Sequence, residues 1–180
     1  MPREPDWSPP KFACDAMCGG LARWLRVLGY DTTYTPGIED GALVAHAQAE
    51  DRVVVSSDTR LFQRRLFLTG ELCGFRLPVG LTLLEQVRCV FGQLKLTRGF
   101  PRCTVCNGVL ERVSRADVAD VVPARSLVWV TTFYRCATCA HVYWEGTHWQ
   151  RIRAACERLG TSDAPLEALP EIDRPTGEHL

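Results

Sequence analysis

The sequence has no excess of charge of either sign and no long apolar run, and both absences restrict its function. Lys and Arg total 21, and Asp and Glu also total 21, so bulk charge does not indicate a nucleic-acid partner. No apolar stretch approaches the roughly 18 residues of a membrane span. The Pro-rich residues 1–10 lack the apolar core of a signal peptide. We therefore expect a cytoplasmic protein without a membrane partner, in an oligomeric state that the sequence leaves open.

A disulfide framework is also not expected, because the nine cysteines are an odd number in a chain of this kind. Metal binding or reduced thiols fit them better. A chain of 180 residues, 46% of them hydrophobic, allows one substantial core and a small satellite domain. We expect a first domain over 11–97 and a second over 98–160. Residues 1–10 and 161–180 are predicted to be flexible termini.

Strand-like and helix-like segments alternate through the first domain. Strands are predicted at 12–14, 31–35, 53–57 and 74–77, and helices at 21–28, 42–50, 59–66 and 82–94. Gly29 is placed to end the first helix, and Thr82 with Glu85 matches a capping box. This order predicts an α/β fold, with a parallel sheet flanked by helices.

Aspartates lie where the predicted strands end. Asp15 and Asp58 each follow a strand directly, and Asp40 opens the helix after another strand. The carboxyl ends of parallel strands meet at one edge of a sheet, so the three carboxylates are expected to converge. They would repel one another unless Mg²⁺ or Mn²⁺ lay among them, with Glu39 as a further candidate ligand. Such a site suits phosphodiester hydrolysis. The alternative is that each aspartate only caps a helix, which is its commoner role.

Arginines lie close in sequence to these acids. Arg23 lies on the first predicted helix, and Arg60, Arg64 and Arg65 follow Asp58. We predict that Arg60 contacts the substrate near the scissile phosphate and that Arg23 helps to hold a nucleic-acid backbone. The alternative for all of them is a solvated helix face.

Two CxxC pairs form the most specific signal in the chain. Their members are Cys103, Cys106, Cys136 and Cys139. Two pairs on two hairpins supply four thiolates for a tetrahedral Zn²⁺, and four protein ligands leave no open position, so the ion is expected to be structural. Strand-like runs at 127–134 and 141–144 predict a zinc ribbon, which is a small antiparallel β-sheet with the metal at one end.

Aromatic residues follow the second CxxC pair. Trp144 and His148, with Tyr143 and Trp149, could form a base-stacking and phosphate-binding face. The alternative is that these aromatics cover the small core of the ribbon.

Taken together, these segments resemble one known family. CDAMCGGLARWLRVLGYD, FPRCTVCNGVL and FYRCATCAHVYWEGTHWQRI look like the Mut7-C (Mut-seven-C) RNase domain family over about residues 11–155. The resemblance implies a PIN-like nuclease fold followed by a zinc ribbon, and metal-dependent endoribonuclease activity on RNA. It also implies that the family's acids correspond to Asp15, Asp40 and Asp58, and its zinc ligands to the four CxxC cysteines. The competing hypothesis is a non-catalytic RNA-binding or protein-interaction adaptor with a degenerate nuclease site.

Overall fold

Two β-sheets, one parallel and one antiparallel, organise the chain. The computed structural model describes residues 9–146, 154 and 171–172. Its contacts divide the chain into two compact units, Met1–Leu25 with Tyr30–Val90, and Arg26–Gly29 with Phe91–Leu180. Residues 26–29 and 91–97 belong to the second unit in this division, whereas the predicted first domain included them. The predicted domain borders therefore stay predictions. None of the helices in the described part of the chain is both long and apolar enough to cross a bilayer.

The first half of the chain forms a four-stranded parallel sheet flanked by helices, which confirms the predicted α/β architecture. The strands are β1 (Lys11–Cys14), β2 (Thr32–Tyr34), β3 (Arg52–Ser56) and β4 (Gly74–Arg76). The helices are α1 (Gly19–Val27), α2 (Asp40–Ala49), α3 (Arg65–Leu68) and α4 (Leu83–Leu94). The strand order is β2-β1-β3-β4, and every neighbouring pair is parallel.

The centre of this sheet is buried on both faces. Ala13 and Val54 are in register and pack on one face against Leu43, Val44 and Ala47 of α2. Their strand neighbours Phe12, Cys14 and Val55 alternate to the opposite face and are also fully or almost fully buried. Burying one such apolar side chain contributes about 1.5–3 kcal/mol. This two-sided burial explains the continuous β-branched run of β3.

The edge at which the strands begin is fixed by one arginine. Arg52, the first residue of β3, is almost fully buried and forms ion pairs with Asp31 at 2.6 Å and Glu50 at 2.7 Å. The bond from Arg52 lowers the pKa of Glu50. The candidate site lies at the opposite edge of the sheet, where the strands end.

Two predicted helix boundaries are confirmed and two are wrong. Gly29 follows α1 with a φ of +97°, and Glu85 accepts hydrogen bonds from the backbone N–H and hydroxyl of Thr82 at 2.8 and 2.7 Å. Asp40, however, is the first residue of α2 and not its cap, because Glu39 holds the cap position. The helix predicted over 59–66 is instead a 3₁₀ turn at Leu61–Gln63 followed by the short α3.

The second unit contains the predicted small antiparallel sheet. Its strands, which pair in sequence order, are β5 (Leu110–Val113), β6 (Phe133–Cys136), β7 (Val142–Trp144) and β8 (Glu171–Ile172). Strand β8, which pairs with β7, lies within the region 161–180 that was predicted to be a flexible tail. The other residues of that tail, and residues 1–8 of the predicted arm, lie outside the described residues.

One predicted strand of the ribbon is wrong in its first part. Residues 124–129 form a short helix, α5 (Ala124–Trp129), and not the beginning of a strand. Pro123 precedes the helix, and its carbonyl accepts hydrogen bonds from Ser126 and Leu127. A proline with φ near −60° favours the start of a helical turn. Val128 and Trp129 are exposed, so this part of the β-branched and aromatic run belongs neither to a strand nor to the core.

Candidate acidic edge and thiolate cluster

A buried serine links the two acids that follow neighbouring strands. Ser56, the last residue of β3, donates its hydroxyl to Asp15 Oδ2 at 2.5 Å and accepts a hydrogen bond from Asp58 N at 3.0 Å. Ser56 is fully buried and Asp15 is 7% exposed. The second oxygen of Asp15 accepts from the backbone N–H of Ala16. The loops after β1 and β3 are therefore held side by side at the edge where these strands end.

The turn after Asp15 is fixed by a tyrosine of the adjacent strand. The hydroxyl of Tyr34 donates to the carbonyl of Ala16 at 3.1 Å. A Cβ atom at Gly19 would lie 2.7 Å from the Tyr34 ring, so a larger residue here would have to displace the tyrosine. Burial, together with the Asp15 charge, raises the pKa of the Cys18 thiol to about 11. Cys18 is therefore a neutral, packed residue at neutral pH.

The third predicted acid points to the segment that follows Asp58. Asp40 Oδ2 lies 3.3 Å from a guanidinium nitrogen of Arg64, and both side chains are about two-fifths exposed. Pairs with this exposure contribute about 0–1 kcal/mol. The pair therefore orients Asp40 without holding it firmly.

The structure brings the three acids to one sheet edge, but their side chains do not form a cation cluster. Within the described part of the chain, the four CxxC cysteines are the one group of His, Cys, Asp or Glu residues close enough to share an ion. Asp15 and Asp58 are joined through Ser56, whereas Asp40 is joined to Arg64. Neither Ser56 nor Arg64 was singled out as a site residue from the sequence. The only available signal was their position, at a strand end and shortly after an acid.

The two arginines predicted to bind substrate are exposed. Arg60 donates its backbone N–H to Asp58 Oδ1 at 2.8 Å, so this carboxylate caps the following turn. Neither Arg60 nor Arg23 forms an ion pair with any residue that the structure describes. Both guanidinium groups are therefore open to solvent and to an anionic ligand.

Four sulfur atoms in the second unit form a compact cluster. Cys103 Sγ lies 3.5 Å from Cys139 Sγ, Cys106 Sγ lies 3.4 Å from Cys136 Sγ, and all four atoms lie within 4.8 Å of one another. These separations are too long for disulfides. A tetrahedral zinc with Zn–S bonds of about 2.3 Å would need sulfur separations of about 3.8 Å. Both the ligand set and its dimensions fit a structural Zn²⁺.

The two CxxC turns have the same backbone geometry. Cys103 N donates to Gly108 O and Asn107 N donates to Cys103 O, both at 2.8 Å. The second turn repeats both bonds, from Cys136 N to His141 O and from Ala140 N to Cys136 O, at 2.9 and 3.0 Å. In each pair the second cysteine directs its N–H at the sulfur of the first at 3.5 Å.

These backbone donors change the acidity of the thiols. Burial raises the pKa of Cys136, but the N–H groups of Cys139 and Thr138 point at its sulfur and the net pKa falls to about 7. Burial raises the pKa of Cys139 to about 12. Without an ion, the cluster therefore holds one acidic thiol beside more basic ones, as expected where thiolates repel one another.

Two further residues shape the cluster: Tyr143, which sequence reasoning did not assign to it, and Gly108, which belongs to the Asn-Gly turn expected after the first CxxC pair. The buried hydroxyl of Tyr143 lies 3.0 Å from Cys103 Sγ and accepts the backbone N–H of Thr104 at 3.1 Å. A Cβ atom at Gly108 would lie 2.7 Å from Cys136 Sγ, so glycine lets the two turns approach each other. Such outer contacts orient metal ligands.

The prediction that Trp144 stacks on RNA is corrected by its burial. Trp144 is 5% exposed and packs with Val118, Val122, Val130 and Phe133. Leu127 of α5 packs against the same cluster, so the unexpected helix covers this face of the ribbon. The alternative, that the aromatic covers the ribbon core, is confirmed. His148 and Trp149 lie outside the described residues.

Comparison with known proteins gives one match. A family model described as Mut7-C RNAse domain matches residues 10–156. The match includes both the acidic edge and the thiolate cluster. No curated protein and no solved structure gives a significant match to the chain.

Proposed function

The chain belongs to the Mut7-C RNase domain family, and from that premise we propose that it is a metal-dependent endoribonuclease whose acids are Asp15, Asp40 and Asp58. Membership of the family indicates a nuclease-type role with RNA as substrate. The proposal adds the identity of the acids, Mg²⁺ or Mn²⁺ as the cofactor, and cleavage within the RNA strand.

The observation that carries this proposal is the link between Asp15 and Asp58. One buried hydroxyl spans the two acidic loops of adjacent parallel strands, at 2.5 Å from one carboxylate and 3.0 Å from the backbone of the other residue. Ligands of open α/β sheets bind outside the carboxyl ends of the strands, which is where these loops lie.

The donor set suits a hard divalent cation. Three carboxylates offer the oxygen ligands that Mg²⁺ and Mn²⁺ prefer. Asp40 and Asp58 have partly exposed side chains, which change rotamer on a picosecond to nanosecond timescale. A shared ion would draw the Asp40 carboxylate away from Arg64 and take the place of hydrogen-bond donors on the other two acids. When bound there, the cation would supply a water of lowered pKa and neutralise charge on the scissile phosphate.

The protein's own side chains have separate roles in this proposal. Ser56 holds the Asp15 carboxylate in one orientation, and Tyr34 holds the turn that follows it. Arg60 and Arg23 are exposed guanidinium groups that bind backbone phosphates. Arg64 balances the charge of Asp40 while no other cation does so.

Zinc has a structural part in the same proposal. Four cysteine ligands leave no position for water or substrate, so the thiolate cluster folds the ribbon and extends the surface that binds RNA.

A circular single-stranded RNA tests the proposal, because only an endonuclease can open it. We expect the zinc-loaded full chain to open the circle with Mg²⁺ or Mn²⁺ and not without either ion. Asp58→Asn should lower the rate at least about a hundredfold, since the amide removes a charge that the ion needs.

Asp51→Asn is the matched control, because Asp51 precedes β3 whereas Asp58 follows it. Asp51 has a φ of +51°, which asparagine also tolerates, and its carboxylate is exposed. This variant should cleave at the parental rate. Unchanged cleavage by Asp58→Asn, with retained zinc and fold, would contradict the assigned site.

A non-catalytic RNA-binding or protein-interaction module is the second candidate, and one observation favours it. Asp40 is paired with Arg64, and the three carboxylates do not form an ion cluster among the described residues. An RNA circle that is bound but stays closed in every divalent ion would support an RNA-binding module. A chain that neither binds nor opens the circle would support the protein-interaction alternative.

A further inference from the structure

The most exposed large apolar side chain in the described part of the chain is a tryptophan. Trp129 is 84% exposed at the last position of α5. A tryptophan normally stabilises a fold by burial, and Trp144 does so in the same unit. The exposed indole of Trp129 therefore contributes almost nothing to folding stability, and an exposed aromatic of this size is typical of a binding site.

Two arginines lie close to this tryptophan in the fold. Arg125 precedes it by four residues in α5, so the two side chains lie on the same face of the helix. Arg115 donates from its guanidinium to the carbonyl of Val130, the residue after Trp129, at 3.2 Å. This bond anchors a second positive charge beside the indole.

Arginines outnumber acids in the chain around this tryptophan, by three to two over residues 115–144. Residues 121–144 contain Arg125 and Arg135 but no Asp or Glu. The nearest preceding acids are Asp120 and Asp117, and the carboxylate of Asp117 accepts two hydrogen bonds from Ser114. The charge around Trp129 therefore favours an anionic ligand, although the whole chain is neutral.

We propose that Trp129 is a stacking platform for a base of single-stranded RNA, with Arg125 and Arg115 bound to the flanking phosphates. An exposed indole accepts any base on its face, and guanidinium groups suit phosphate oxygens. Duplex RNA keeps its bases stacked internally and cannot use this surface. The inference rests on the proposed function, since it takes RNA as the ligand, and it replaces Trp144 with Trp129.

A protein partner is the other class of ligand for this surface. Val121 and Val128 are also more than half exposed, so some apolar surface accompanies the indole. The excess of arginine over acid and the position of Arg125 on the face of Trp129 favour RNA. If a protein or a second copy of the chain occupies this surface instead, substitution of Trp129 should change the oligomeric state and leave RNA binding unchanged.

The test measures RNA binding without cleavage. Zinc-loaded full chain carrying Asp58→Asn is titrated, without divalent metal, into a fluorescently labelled oligo(U) of about ten nucleotides. Adding Trp129→Ala should weaken binding by about tenfold or more, while Trp129→Phe should stay within about threefold. Arg125→Ala should reduce the slope of log K against log salt by about 0.7.

Val128→Ala is the matched control, because this residue is exposed in the same helix but precedes the indole. It should bind like the parent, and a duplex of equal length should bind all variants alike. Parental affinity of Trp129→Ala for oligo(U) would overturn the inference. So would an oligomer that dissociates on this substitution while RNA binding is unchanged, because the indole would then belong to a protein interface.

Failure of this inference is distinguishable from failure of the proposed nuclease. If the chain with intact Asp58 never opens circular RNA, yet Trp129→Ala weakens binding, the stacking surface stands and the nuclease proposal fails. If the circle is opened and Trp129→Ala binds oligo(U) normally, only the stacking surface fails.

Discussion

The thiolate cluster and the acidic edge are both assembled from distant segments, but only the thiolates form a complete set of ligands in the described chain. Each cysteine pair lies on a turn that two backbone hydrogen bonds close in the same way. The three aspartates are instead engaged by donors of their own chain, namely Ser56 Oγ, two backbone N–H groups and Arg64.

In the proposed function, this difference corresponds to two uses of a metal. Four thiolates on turns that backbone hydrogen bonds close form a complete ligand set, which suits an ion that stays in place and stabilises a fold. In the proposed function, carboxylates that accept hydrogen bonds keep their charge and exchange these donors for a cation, which suits an ion that binds and leaves with substrate. Substitutions in the two sites should therefore differ in their effect on zinc content.

Loss of one thiolate should unfold the ribbon. Structural zinc contributes about 10 kcal/mol or more to folding, so Cys136→Ser should abolish stoichiometric zinc binding. The NMR signals of β5–β7 should lose their chemical-shift dispersion and move to the positions typical of an unfolded chain. Cys73→Ser, at an exposed cysteine outside the cluster, is the control and should keep one zinc per chain. Full zinc content in Cys136→Ser would contradict the four-thiolate site.

The pH dependence of zinc affinity follows from the same cluster. Because the pKa of Cys139 is raised to about 12, its thiol is protonated at neutral pH without an ion and must lose that proton when zinc binds. Affinity should therefore fall as the pH falls, whereas the lowered pKa of Cys136, about 7, delays its own protonation. Chelator competition at several pH values measures this slope.

Closer packing of the two turns should weaken zinc binding by a smaller amount. In Gly108→Ala the new methyl group would meet Cys136 Sγ at 2.7 Å, and a ligating sulfur cannot move away without cost. Overpacking of this kind costs about 1–3 kcal/mol, so zinc affinity should drop by about 10- to 100-fold. Gly92→Ala, where a Cβ meets nothing within 4 Å, should leave the affinity unchanged.

Sequence reasoning identified the zinc-ligand cysteines and the succession of strands along the chain because both signals are local. CxxC spacing defines a turn by itself, and a β-branched run such as Val53–Val55 defines a buried strand. The partners of the acids were not foreseen, because a bond such as Ser56 to Asp15 joins residues 41 positions apart through side-chain rotamers.

The two errors in the ribbon have one cause. The run before β6 has the β-branched and aromatic composition of a strand, and this composition gives no indication of a helix over one face of the ribbon. The helix α5 in fact covers that face, which buries Trp144 and leaves Trp129 exposed. Which of two tryptophans is exposed depends on how the chain packs, and periodicity over a few residues does not contain that information.

On the acidic edge, removal of the shared hydroxyl should have a moderate effect. Ser56→Ala leaves Asp15 Oδ2 and Asp58 N without their partner in a buried site, at a cost of about 1–3 kcal/mol. The urea midpoint should fall, while zinc content stays at one per chain. Ser57→Ala, at the half-buried neighbour, is the control and should have a small effect. An unchanged midpoint in Ser56→Ala would show that the link contributes nothing.

The smallest predicted effect compares the two cysteine turns with each other. Both place the residue after the second cysteine in the left-handed region, at φ +69° for Asn107 and +59° for Ala140. Asparagine tolerates this conformation, whereas alanine has a strained Cβ there, at a cost of about 1 kcal/mol. Ala140→Gly should therefore tighten zinc binding by about fivefold, because binding is coupled to folding of the turn. Asn107→Gly should change it by less, and chelator competition that finds equal gains at both positions would remove alanine strain as the explanation.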